Sequence, residues 1–300
     1  MELITHFLPK NCKIYDSGDF HLGPINHSRK TLIALRDRIL SEKDSYLVTK
    51  GDAIDCVLPN DKRFHFCSTD LSNKKFTPQH HADEIIKILY PIKDRILVWL
   101  IGNHEWKIIN VFNVSEYICD KLDVPFGGVA TKLILRDEKT KRLMLKMFLT
   151  HGCGRMPKGA KDPIQRQANQ KAWLKRKLEE TGHTDCIYMS MGHNHHLMVV
   201  EPTAHSEVVL TDNGTNINYY PRKKSKQNID RIPPEDRFYG SSGSMLKLYS
   251  QPGSKAISYG EMAMYGPTEI GWLVATLEDG QLEKVERQTF ENGDIVTLKN

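Results

Sequence analysis

No stretch of this 300-residue chain is long and apolar enough to span a bilayer; the best run, 96–101, is strand-sized. Residues 1–10 lack a basic start followed by an apolar stretch, so no secretory signal is read and a cytoplasmic location with no membrane partner is expected. The six cysteines, Cys12, Cys56, Cys67, Cys119, Cys153 and Cys186, form no CxxC pair and no zinc-finger spacing, which excludes the common structural zinc modules. Without a secretion signal they read as reduced, small apolar residues. A phosphate-binding glycine loop is also missing: Gly159 is followed by Ala160 rather than Lys, and GxGxxG is not completed. There is no internal repeat and no low-complexity tract.

What is present is an ordinary globular composition, 39% hydrophobic and 26% charged, in a chain long enough for one large domain. One domain over 1–300 is expected, with insertions near 154–182 (a basic helix) and 211–243 (a basic loop or lid). Strand-like runs at 13–17, 45–49 and 96–101 alternate with helical spacing at 28–42 (Leu32, Leu35, Ile39, Leu40) and 78–90 (Ile85, Ile86, Leu89). A further helix is expected through Asp120. The second half turns to short strands at 131–136, 143–150, 187–191, 197–201, 207–210, 245–249, 256–259, 273–276 and 282–287. Asp162-Pro163 supplies an N-cap and first-turn pair for the basic helix. The pattern predicts an α/β fold with helices packed outside the sheet.

Five short elements fall at or just after predicted strand ends. They are Asp19-Phe20-His21, Gly51-Asp52-Ala53-Ile54-Asp55, Gly102-Asn103-His104-Glu105, His151-Gly152 and Gly192-His193-Asn194-His195. Carboxylate, imidazole and amide oxygen are ligands for divalent transition metals, and strand C-terminal ends are where open α/β sheets gather ligands. Each element alone reads more readily as a turn or a satisfied histidine. All five in series do not, because buried carboxylates and imidazoles without partners are costly.

The order DxH, GDxxD, GNHE, HG and GHxH resembles the calcineurin-like metallophosphoesterase superfamily over residues 19–195. The resemblance implies two facing mixed β-sheets flanked by helices, a four-layer α-β-β-α sandwich. It also implies two divalent metal ions, manganese first, with iron, zinc or nickel as alternatives. Asp19, His21 and His195 are similar to the ligands of one metal; Asn103, His151 and His193 to those of the other; Asp52 to the carboxylate bridging both. His104 resembles the family's catalytic histidine and Asp55 the carboxylate that orients it. Two cations about 3.5–4 Å apart can share a hydroxide and clamp the phosphoryl oxygens during in-line attack. Cys56-Val57 stands where the protein serine/threonine phosphatases carry Arg-Gly, and Gly-His-x-His looks more like the nuclease and cyclic-nucleotide phosphodiesterase branches. Glu105 stands where repair-type nucleases usually carry Asp.

Charge is uneven. Residues 154–177 carry a balance of +7 and 221–231 one of +4, so on a chain of +5 the remainder carries −6. The first segment leaves directly after His151 and includes Trp173, which could stack on a base. Arg155, Lys158, Lys161, Arg166 and Lys171 are therefore candidate contacts to a phosphate-ester substrate, DNA or RNA included. The bland alternative is a solvated helix whose side of Ile164, Ala168 and Leu178 packs on the body. The leading expectation is a phosphodiesterase acting on nucleic acid or nucleotides. The alternatives are a phosphomonoesterase acting on small molecules and a nucleic-acid-binding protein with an inactive metal site.

Overall fold

The computed structural model describes residues 1–58, 61, 77–157, 159–204, 206–210, 214, 216–221, 225–249 and 257–299. Its strands, in chain order, are β1 (Glu2–Leu8), β2 (Cys12–Ser17), β3 (Ser45–Thr49), β4 (Ile96–Trp99), β5 (Ala130–Asp137), β6 (Leu143–Thr150) and β7 (Tyr188–Met191). They continue with β8 (Leu197–Val200), β9 (Ser206–Leu210), β10 (Ile217–Pro221), β11 (Phe238–Ser242), β12 (Gly271–Glu278), β13 (Gln281–Glu291) and β14 (Asp294–Leu298). The α-helices are α1 (Arg29–Ser41), α2 (Pro78–Leu89), α3 (Asn103–Trp106), α4 (Val114–Leu122), α5 (Pro163–Glu179) and α6 (Tyr259–Met262). None is long and apolar enough to cross a membrane, among the described residues.

Two six-stranded mixed sheets carry the fold, in the orders β1-β5-β6-β7-β11-β8 and β14-β13-β12-β2-β3-β4. Strands β2, β3 and β4 run parallel, as do β6, β7 and β11. These central strands are almost wholly buried, and β4 (ILVW) is accordingly apolar throughout. Side chains alternate across the sheet: in β2 and β3, Ile14 and Val48 point inward to meet Leu133, Leu145 and Met147 of the facing sheet. Tyr15 and Leu47 point outward, onto Leu32, Leu35 and Ile39 of α1 and Ile85 and Leu89 of α2. On the opposite outer face, Leu174 and Leu178 of α5 pack on Phe148, Met189, Met198 and Tyr239. The result is the expected four-layer α-β-β-α sandwich. Cys12, Cys56, Cys119 and Cys186 are buried and unpaired, and Cys153 is exposed; Cys67 lies outside the described residues.

Strands β1, β10 and β14 were not anticipated, β10 lying within the expected loop or lid, and three further segments differ from the sequence reading. Residues 238–242, expected within a loop or lid, form β11, an inner strand between β7 and β8. Its sequence, FYGSS, has no β-branched residue to announce a strand. Gly240 is needed there by packing, since a Cβ would come within 2.5 Å of the Tyr188 hydroxyl. Residues 245–249, expected as a strand, contribute only an isolated bridge from Leu246 to His27. Of the strand expected at 256–259, residue 256 lies outside the described residues, 257 and 258 belong to no regular element, and a helical turn, Tyr259–Met262, begins at its last position. Within α5 the buried face is Leu174 and Leu178, with Trp173 half-buried beside them. Ile164 is instead 80% exposed, and Ala168 is exposed too. Of the expected apolar side only Leu178 is buried; Leu174 joins it, and Trp173 packs half-buried against the same cluster.

Candidate metal centre

The chemistry-bearing residues leave the C-terminal ends of five parallel strands. Asp19 and His21 follow β2, Asp52 and Asp55 follow β3, and Asn103 and His104 follow β4; His151 follows β6, while His193 and His195 follow β7. The first two loops stay zipped beyond their strands: the amides of Asp19, His21 and Leu22 donate to the carbonyls of Gly51, Asp52 and Ala53 at 2.9, 2.8 and 2.9 Å. Asp19, His21, Asp52, His193 and His195 all have positive φ, between 48° and 68°. Asp and His tolerate this region better than most residues, yet such a concentration of strained backbone is typical of functional sites. Gly51 and Gly102 sit back to back: a Cβ on Gly51 would meet the Gly102 nitrogen at 2.2 Å, and one on Gly102 would meet Asp52 Oδ1 at 2.0 Å. Only glycine lets these two loops approach so closely.

All seven sequence-named ligand candidates converge. Asp52 Oδ2 is central, 3.7 Å from His21 Nε2, 3.5 Å from His151 Nε2 and 3.8 Å from His104 Nε2. On one side, His21 Nε2 lies 3.0 Å from His195 Nε2 and 3.8 Å from Asp19 Oδ1, with His195 Nε2 3.6 Å from the same oxygen. On the other, Asn103 Oδ1 is 2.9 Å from His151 Nε2 and 2.7 Å from His193 Nδ1. The carboxylate–imidazole gaps around Asp19 Oδ1 and Asp52 Oδ2, 3.5–3.8 Å, are beyond good hydrogen-bond length. They suit atoms that share a cation, each at roughly 2.0–2.2 Å from it. Asp19–His21–His195, Asp52–His151–His193 and His21–Asp52–His104 each form a group able to hold an ion. The donor set therefore fits divalent metal.

The ring tautomers are set from behind. His151 Nδ1 donates to the Lys50 carbonyl at 2.7 Å, which leaves Nε2 as a lone pair facing the cluster. His21 Nδ1 donates to Asp55 Oδ1 at 3.1 Å, which would leave Nε2 to a metal once the proton it holds in the cluster is displaced. Asp55 also takes His104 Nδ1, 2.7 Å from Oδ1 and 2.9 Å from its carbonyl oxygen. One carboxylate thus serves a ligand and the histidine beside it. Burial opposes ionisation of Asp19 and Asp55, but the imidazoles around each outweigh it and hold both carboxyls below the usual range. Burial also opposes charge on His21, but hydrogen bonds to Asp19 and Asp55 and the charge of Asp52 raise its pKa to about 10. Burial and the nearby His21 charge lower His195 to about 4. A cluster so rich in carboxylate holds a proton where a cation would otherwise sit.

Two supporting roles were not assigned from the sequence. Glu105 is fully buried, and its carboxylate accepts the backbone amides of Asp52 (3.1 Å), Ala53 (2.6 Å), Ile54 (3.2 Å) and Gly102 (3.0 Å). It ties the loop after β3 to the loop after β4. A glutamate three residues past the helix start was the available signal. Lys50 is fully buried as well, with Nζ 2.6 Å from Asp16 Oδ1.

The cluster opens into a cleft of about 840 Å³ that His21, His104, His193 and His195 line together with Arg155, Arg166 and Lys247. The five basic candidates are not equivalent. Arg155 and Arg166 face this cleft, and Lys171 faces a neighbouring recess. Lys161 lines neither, and Lys158 lies outside the described residues. Arg166 donates from Nε to the Ala160 carbonyl (3.0 Å) and from Nη2 to the Lys161 carbonyl (3.2 Å), so it also braces its own loop.

The architecture and the series of metal-type side chains along its strand ends are those implied by the resemblance to calcineurin-like metallophosphoesterases. Among solved structures, the chain is similar to Vps29 of Chaetomium thermophilum (9% identity, 95% of each chain, TM-score 0.41). It is also similar to a predicted phosphoesterase of Streptococcus pneumoniae TIGR4 (12% identity, 96% of this chain and 97% of that one, TM-score 0.31). A metallophosphoesterase of Sphaerobacter thermophilus matches at 13% identity over 92% of this chain and 87% of that one, TM-score 0.35. No family model and no curated protein matches. At such scores the functional argument rests on the residues themselves.

Proposed function

We propose that the protein is a metal-dependent phosphoesterase with two divalent ions, acting as a phosphodiesterase on nucleic acid or nucleotides. The observation that carries this reading is Asp52 Oδ2, 3.7 Å from His21 of the Asp19–His21–His195 group and 3.5 Å from His151, which with His193 gathers around Asn103 Oδ1. Metal ions held there, manganese first among the candidates, would supply a nucleophile at neutral pH and neutralise phosphoryl charge. The chain's own residues do the rest. Asp55 fixes Nδ1 of His104 and so presents Nε2 to the cleft, where it can protonate the leaving oxygen. Arg155 and Arg166 place positive charge on the cleft wall, suited to non-bridging phosphate oxygens. The cleft volume lies in the upper part of the range for ligand sites and exceeds what a phosphate needs, which favours a diester with groups on both sides.

The first test is a substrate panel with manganese: bis-aryl phosphate, aryl monophosphate, cyclic nucleotides, and single- and double-stranded DNA and RNA. Turnover of diesters above monoesters is expected; a preference for monoesters replaces the reading with a phosphomonoesterase. Elemental analysis after manganese loading is expected to approach two equivalents per chain, with Asp52→Asn weakening both. One equivalent in a fully active protein rules out the binuclear arrangement. Because Asp55 holds both His21 and His104, Asp55→Asn is expected to lower metal affinity by about 10–100-fold as well as turnover. A variant with reduced turnover and wild-type metal affinity, read by competition with a chelating dye, confines Asp55 to His104.

A further inference from the structure

Beside the cleft lies a second recess, about 380 Å³, between the first turns of α5 and the start of β8. The two cavities share Arg166, Gln170 and His196, so the recess begins one residue beyond the candidate ligand His195. Its walls carry three cations, Arg166, Lys171 and Arg287, against one acid, Glu269. They also carry Ile164, an apolar side chain left 80% exposed. The cations of α5 divide into two sets. In its last turns, Lys175 pairs with Glu179 at 3.8 Å and Arg176 with Glu180 at 3.9 Å, the ordinary habit of a solvated helix. Lys171, turned to the recess, has no carboxylate partner among the described residues. The Arg166 guanidinium, held by two backbone carbonyls, is ordered before any ligand arrives.

We propose that this recess is a binding subsite for the nucleotide unit next to the scissile phosphate, and that the substrate is a single-stranded oligonucleotide rather than a mononucleotide or cyclic nucleotide. Lys171 and Arg287 contact the flanking phosphate, and Ile164 offers an apolar surface to a base. Arg166, lining both cavities, spans two successive phosphates. This deepens the phosphodiesterase reading and rests on it.

The test measures kcat/KM of the manganese-loaded protein on bis-aryl phosphate and on oligothymidylates and oligouridylates of two to six nucleotides, across a salt series. Wild type is expected to gain about tenfold or more in kcat/KM once the strand is long enough to fill the recess, then to level off. The longer substrate is expected to show a log–log salt slope steeper by about 0.7 for the added single-strand phosphate contact. Lys171→Glu is expected to remove both increments. Arg176→Glu, the same charge change on the ion-paired part of the helix, is expected to keep both. No length increment, or one lost equally in both variants, overturns the subsite; if bis-aryl phosphate is still hydrolysed, the phosphoesterase reading stands. If nothing is hydrolysed that reading fails, and the same increments are read from equilibrium binding of dye-labelled di- and tetranucleotides, whose equal affinity overturns the subsite. The thymidylate and uridylate arms separate DNA from RNA.

Discussion

Replacing His104 by Gln is expected to lower turnover of a diester with a poor leaving group by ~10²–10⁴, the usual contribution of a positioned general acid or base. Metal content is expected to stay near wild type. The expectation follows from how the ring is held. Its Nδ1 is committed to Asp55, its side chain is 14% exposed where those of His21 and His151 are 1% and 2%, and it faces the cleft. The His104 backbone amide donates to Asp52 Oδ1 at 2.8 Å, an anchor that a side-chain change leaves in place. For a nitrophenolate leaving group, which departs without a proton, the deficit is expected to shrink. A variant that cuts the poor-leaving-group substrate at the wild-type rate would assign the proton to another residue, and one that loses metal would make His104 a ligand.

Lys50→Met is expected to destabilise the fold by about 3–5 kcal/mol, the cost of leaving one partner of a buried ion pair uncompensated. Asp16 is fully buried, and its Oδ2 also accepts the Tyr188 and Ser190 hydroxyls at 2.6 Å each. Lys50 Nζ in turn donates to Ser190 Oγ and, at 3.4 Å, to the Met191 carbonyl. Burial lowers the lysine's pKa and the aspartate opposes that. The pair binds β2, β3 and β7 together across the two sheets, directly beneath the loops that carry Asp19, Asp52 and His193. Thermal denaturation is expected to show Tm lowered by roughly 6 °C or more. Adding Asp16→Asn, which removes the second charge and keeps an oxygen for Tyr188 and Ser190, is expected to recover most of the loss. A single variant within about 1 kcal/mol of wild type would show that water reaches the pair.

The sequence by itself determined the layers and the identity of the cluster. Strand-sized apolar runs placed β2, β3 and β4, and period-3.6 apolar spacing placed α1 and α2. Asp19, His21, Asp52, Asn103, His151, His193 and His195 were legible because each stands at or just after a strand end and within three residues of a glycine, a local signal that needs no long-range information. Short, glycine- and serine-rich β11 was illegible, because its place is decided by what Gly240 packs against rather than by propensity. The buried face of α5 was misread in part for the same reason: Ile164, Ala168 and Leu178 satisfy helical spacing as well as Leu174 and Leu178 do, and only the facing sheet chooses between them. Tertiary structure alone decided that Asp55 serves two histidines, that Glu105 gathers four amides, that Lys50 lies in the core, and that Lys171 and Lys175, one turn apart, have different neighbours. Each of these depends on contacts between residues far apart in the chain, whose distances no local pattern encodes.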